Sequence, residues 1–206
     1  ELFGGRELAY LDSANSSQKP RQVLEGITEF YEHSYANVHR AVYELGERAT
    51  AGYEGAREKT RAFLGADSTR EIIFTRNGTE AINLVAHAWG LSELGPGDVV
   101  VSTVLEHHSN FVPWQYVAKR TGAEFAVIGA DDNGELDLEQ LDAIAGRGRV
   151  RIVAFGLISN SIGTVNPVEA LVGWAREHGA VTVVDGCQAA PHRSLDVGSL
   201  GVDFLA

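Results

Sequence analysis

Apolar residues fall along this chain in two patterns that take turns. Val99 to Val104, Phe125 to Ile128, Val150 to Ile158 and Val181 to Val184 are short runs rich in β-branched residues. Bounded by turn residues, they read as strands buried on both faces. Glu71 to Thr75 reads as a further short buried strand. Between the runs, apolar residues recur every third or fourth position. Ala81, Leu84, Val85 and Ala88 predict a helix over Thr79 to Trp89. Phe111 to Arg120 predicts another, stopped by Thr121-Gly122, and Leu138 to Ala145 a third. Pro167 to His178 has Pro at its start and Gly179 beyond its end, the usual asymmetry of helix termini. Gly95-Pro96-Gly97-Asp98 and Asp131-Asp132-Asn133-Gly134 read as turns. The alternation predicts an α/β fold with a mostly parallel sheet flanked by helices. Before residue 70 the pattern changes: Arg21 to Tyr31 and Gly46 to Leu64 look helical, and the stretch between them irregular.

Composition narrows the function classes. A chain of 206 residues is long enough to bury one sizeable core. It has no apolar run of about 18 residues, so no membrane-spanning helix is expected. The first ten residues lack the basic-then-apolar pattern of a signal peptide. A net charge of −11 argues against nonspecific nucleic-acid binding. The single cysteine, Cys187, has no internal disulfide partner, which suits a cytoplasmic location.

In open α/β sheets ligands sit beyond the carboxyl ends of the strands, and polar groups follow four of the predicted strands here. Asn77-Gly78-Thr79 opens a helix directly after a strand, where free N–H groups and the helix dipole favour a phosphate. The plain alternative is an ordinary turn with Thr79 as helix cap. Glu106-His107-His108-Ser109-Asn110 offers a histidine for stacking on an aromatic ring or for proton transfer, or else two solvated loop histidines. Adjacent histidines do not share one face, so no metal site is indicated. Ser159-Asn160-Ser161 offers an amide donor to a phenolate-like oxygen, or simply turn residues. Asp185-Gly186-Cys187-Gln188 ends a valine-rich strand with a carboxylate, suited to a protonated pyridine nitrogen, a Mg²⁺ ion or a helix cap. Each group is weak alone. Together they supply a phosphate cradle, a stacking ring, a donor to an oxygen and a carboxylate for a ring nitrogen, the set that pyridoxal 5'-phosphate (PLP) demands.

These residues resemble a known family. Tyr10-Leu11-Asp12-Ser13-Ala14, Ala36-Asn37-Val38-His39-Arg40, Thr79-Glu80-Ala81-Ile82-Asn83-Leu84-Val85, Glu106-His107-His108, Val112-Pro113-Trp114, Ser159-Asn160 and Val184-Asp185-Gly186-Cys187-Gln188 occur in the order seen in class-V, fold-type-I PLP enzymes. Within them the chain is most similar to the SufS-type (group II) cysteine desulfurases and selenocysteine lyases. The resemblance implies an N-terminal arm and entrance loop over residues 1–45 and the PLP-binding large domain over 46–206. It implies that Gly78 and Thr79 hold the phosphate, His107 stacks on the ring, and Asn160 with Gln188 neighbours the phenolic oxygen. Asp185 would pair with the ring nitrogen, and His39 would lie near the substrate. The implied reaction takes L-cysteine, or L-selenocysteine, to alanine and leaves a persulfide for an acceptor protein in iron–sulfur cluster assembly. A homodimer is also implied.

The chain departs from the family pattern in places. In the family a Ser-Gly-His-Lys segment lies just beyond the position of Ala206, and its lysine binds PLP. Lys19, Lys59 and Lys119 are the lysines present, and none follows a predicted strand. The chain alone is therefore expected to be inactive and, with its sheet uncompleted, unstable. Tyr43 stands where the entrance motif often has histidine, Asn77-Gly78-Thr79 where the phosphate loop commonly reads Gly-Thr-Thr, and Cys187 where a small residue is usual. The alternatives are another class-V enzyme, epimerase-like or a C–S lyase, and a non-catalytic chain.

Overall fold

The computed structural model describes residues 2–206, which divide into two compact units at Thr60/Arg61. In the first unit, β1 (Leu2–Phe3) and β2 (Arg6–Glu7) pair antiparallel. Gly4 and Gly5, with φ of 58° and 79°, supply the left-handed pair that a two-residue hairpin turn needs. Helix α1 (Arg21–His33) follows, then α2 (Glu44–Leu64). The irregular stretch expected between these helices is present.

In the second unit, the strands are β3 (Asp98–Thr103), β4 (Glu124–Ile128), β5 (Arg149–Gly156), β6 (Val181–Asp185) and β7 (Phe204–Leu205). They form one parallel sheet in the order β4-β3-β5-β6-β7. Successive residues point to opposite faces, which splits the buried valines into two layers. Val99, Val101, Val153 and Phe155 pack with α6 (Gln140–Ala145) and α7 (Val168–Glu177) through Leu141, Ile144, Leu171 and Ala175. Val100, Ile152, Ala154 and Val183 pack on the other face with Ile82 of α3 (Gly78–Val85), and with Trp114 and Val117 of α5 (Val112–Thr121). Helix α3 widens into a π-turn over Ala86–Gly90 and resumes as α4 (Leu91–Glu93). The short α8 (Val197–Leu200) precedes β7. The fold is the expected helix-flanked parallel sheet.

Residues Glu71 to Thr75 differ from the expected buried strand. Thr69–Glu71 form a 3₁₀ turn and the residues after it join no sheet. Ile72 is buried, but Ile73 is 68% exposed and Phe74 42%, so the apolar run does not insert between neighbours.

The strand order creates one reversal. From β3 the chain leaves through α5 to β4 on one side, and from β5 it leaves through α7 to β6 on the other. The carboxyl ends of β3 and β5 therefore flank a crevice that no connection crosses, the place where α/β sheets take ligands.

Candidate active site

Around this crevice the second unit gathers most of the residues singled out in the sequence. Asn77, not Thr79, caps α3: its Oδ1 accepts from the Glu80 N–H at 2.9 Å. The Glu80 carboxylate accepts in turn from the Arg76 N–H at 2.6 Å and from its guanidinium at 2.9 Å. The Arg76 contact lowers the Glu80 proton affinity. Asn77 takes the cap role, and Thr79 lines a cavity.

That cavity holds about 550 Å³ and is lined by Thr79, Asn83, His87, His107, His108, Ser109, Val112, Pro113 and Tyr116. Thr79 from the start of α3 and His107 from the loop after β3 thus share one space. His107 is exposed and begins a 3₁₀ turn (His108–Asn110). Its Nδ1 accepts from the Ser109 N–H at 3.2 Å and lies 2.7 Å from the Ser109 hydroxyl. A neutral ring held this way carries its proton on Nε2. Helix α3 also packs on this turn.

Asp185 ends β6, paired in register with Gly156 at the end of β5. Its Oδ1 accepts from the Cys187 N–H at 2.9 Å. The Cys187 thiol is pushed up to about 12, first by desolvation and then by the negative charge of Asp185. Cys187 also reaches the phosphate loop: a Cβ built on Gly78 would lie 2.6 Å from its Sγ. Only glycine leaves room at position 78 while a thiol occupies this corner. Gln188 is half-buried in the turn that follows. Asn160 is exposed on the loop after β5, whose base is closed by the Ser159 N–H to Thr164 C=O bond at 2.9 Å.

His39 lies in the first unit, where it has a positive φ of 66°. Its N–H donates to Thr50 Oγ1 at 2.9 Å, its Nε2 is 3.3 Å from Glu54 Oε1, and its ring meets Tyr53 edge-on at 5.5 Å. Tyr43 is exposed in the same unit.

Sequence reasoning left Glu106 without a role. Its carboxyl is enclosed at the mouth of the crevice and accepts from Thr103, Asn110 and the Gly156 N–H. Burial, its largest influence, raises it to about 7, and the Asp185 charge adds to the rise. The signal available was an acidic residue four positions before a buried Asn, next to the histidine that drew attention. His87 and Tyr116 were also missed; their rings are 5.7 Å apart on α3's extension and α5.

The donor set fits PLP on structural grounds. Asp185 stands at the end of β6, where its negative charge disfavours ionisation of Glu106 and Cys187, and a protonated ring nitrogen would be an opposite charge beside it. The α3 N-terminus presents N–H groups beside a glycine that admits close approach.

Comparison with known proteins agrees. The family model for aminotransferase class-V matches residues 9–206. A protein of Halalkalibacterium halodurans named probable cysteine desulfurase is 50% identical over 202 residues, covering 98% of this chain and 50% of the relative. One from Enterobacter sp. strain 638, named cysteine desulfurase, is 48% identical, covering 97% and 49%. The apo structure of cysteine desulfurase from Thermococcus onnurineus NA1 superposes with a TM-score of 0.87 at 39% identity, covering 94% of this chain and 48% of that one. A crystal structure of an Escherichia coli cysteine desulfurase gives 0.84 at 40% identity, covering 95% and 49%. The chain spans about half the length of these relatives and carries the fold-type-I architecture. It belongs to the class-V aminotransferase family, a family of PLP enzymes.

Proposed function

We propose that this chain supplies the cofactor-binding part of a PLP-dependent cysteine desulfurase of the SufS type, acting on L-cysteine and passing sulfur to an acceptor protein. The observation that carries the reading is the placement of the Asp185 carboxylate at the end of β6, with His107 and the N-terminus of α3 in the same unit beside a shared cavity. The relatives' names support the choice of reaction.

PLP, when bound, supplies an acceptor for negative charge developing at the substrate Cα. The residues of this chain would hold it and tune it. The N–H groups at Gly78 and Thr79, with the Thr79 hydroxyl, bind the phosphate. His107 lies against the ring, oriented by the Ser109 N–H. Asp185 keeps the ring nitrogen protonated, which preserves the ring's pull on electrons. Asn160 and Gln188 donate to the phenolic oxygen, and His39 serves the substrate side. We read residues 46–206 as the cofactor-binding domain and 1–45 as an arm, and the working assembly as a homodimer in the cytoplasm that serves iron–sulfur cluster assembly. Selenocysteine is a second substrate on this reading.

The test uses the full gene product loaded with PLP and given L-cysteine and a reductant. Alanine formed in step with sulfide is the expected result. Bound PLP without alanine would overturn the desulfurase reading and point to another class-V reaction, with Tyr43 the first position to examine. Failure to bind PLP would overturn the cofactor reading as well.

A further inference from the structure

The ends of β3 and β5 flank the crevice, and one side chain ties them together. Glu106 Oε1 accepts from Thr103 Oγ1 at 2.7 Å and from the Gly156 N–H at 3.0 Å; Oε2 accepts from Asn110 Nδ2 at 2.7 Å. The direction of each bond is set by its surroundings. A backbone N–H only donates. The Trp114 indole, also donor-only, gives its Nε1–H to Asn110 Oδ1 at 3.0 Å, which turns the amide NH₂ toward Glu106. Thr103 Oγ1 accepts from the Leu105 N–H at 3.2 Å, leaving its own proton for the carboxylate. Three donors converge on the carboxylate, an arrangement suited to the ionised group.

His107 lies inside this clamp. Glu106 precedes it, and the Asn110 N–H donates to the His107 carbonyl at 2.9 Å. Asn110 and Trp114 are fully buried, so the turn is anchored to the core on its far side.

We propose that Glu106 is the positioning residue for His107: through Asn110 and Gly156 its carboxylate locks the 106–110 turn onto the end of β5 and sets how the imidazole faces the crevice. The inference rests on His107 being the residue that lies against PLP. The three donors favour the ionised carboxylate, while burial and the Asp185 charge oppose it and raise the group to about 7.

A double-mutant cycle tests it, read by equilibrium PLP affinity and by the circular dichroism of bound PLP in the full gene product. The four proteins are the unsubstituted chain, Glu106→Gln, His107→Ala and the double variant. Glu106→Gln is expected to weaken PLP binding about tenfold, the effect of one lost charge-assisted bond, and to reduce the dichroism per bound PLP. The double variant is expected to match His107→Ala in both readouts. A general packing role would weaken the double variant further, and losses that multiply would overturn the inference. If Glu106→Gln does not fold, Trp114→Phe, which frees the Asn110 amide, replaces it in the same cycle with the same expectation. Failure of the unsubstituted protein to bind PLP would overturn the site reading and this inference together; binding with multiplying losses overturns the inference alone.

Discussion

At Cys187 two influences act in the same direction. Desolvation and the Asp185 charge both disfavour the thiolate and push the thiol up to about 12. A cysteine so placed is a poor nucleophile near neutral pH. Its alkylation by iodoacetamide at pH 8 is expected to run at least about a hundredfold slower than that of a free thiol, and Asp185→Asn should speed it. Labelling at the rate of a free thiol would contradict the placement. Glu106 shows the opposite linkage from an ordinary salt-bridged acid. Its folded-state value of about 7 lies above the ordinary 4.5, so the folded chain keeps a proton that the unfolded chain has lost. Asp185 acts on it from β6, while its partners Thr103, Asn110 and Gly156 are uncharged. Stability from this group is thus full below about pH 4.5, falls as pH rises to about 7, and levels off above that. The loss is on the order of 3 kcal/mol. Denaturant midpoints across this range should show the decline, and Glu106→Gln should remove it.

Among the elements, α3 depends on a cap, Asn77, two residues before the Thr79 that the sequence pattern suggested. Asn77 Oδ1 satisfies the Glu80 N–H, and Asn77→Ala is expected to lower stability by about 1 kcal/mol, measured as a shift in the denaturant midpoint. Asn77 and Thr79 both suit a cap, and only the backbone geometry decides between them. Strands β3, β5 and β6 were legible because both of their faces are covered, which gives each a compact run of apolar residues at its middle. The run from Glu71 to Thr75 has similar residues, but a strand also needs a neighbour, which local composition does not record. For the same reason β7, two residues long and defined by its pairing with Val183 and Val184, went unread. In the candidate site, the strand-end rule pointed to Asp185, His107 and the α3 N-terminus because each follows an apolar run, although the run before α3 forms no strand. The role of Glu106 was not legible. It depends on reaching Gly156, 50 residues away in the chain.

For the molecule as a whole, the second unit is held by a sheet covered on both faces, and its two apolar layers share the central strands β3 and β5. Phe155 is fully buried in one of them. Phe155→Ala in the full gene product is expected to lower stability by about 3–5 kcal/mol, and a loss below 1 kcal/mol would contradict this packing. The layers meet the chemistry only at the strand ends, so the loss should appear in melting before it appears in PLP affinity. The reversal in strand order carries this separation further. Because the crevice arises from the path of the chain between strands, no side chain has to be spent on keeping it open. Exposed positions in the loops after β3, β5 and β6, such as His108 and Asn160, can therefore vary without disturbing the scaffold beneath, while the hydrogen-bonded ties at Glu106 and Asn110 cannot.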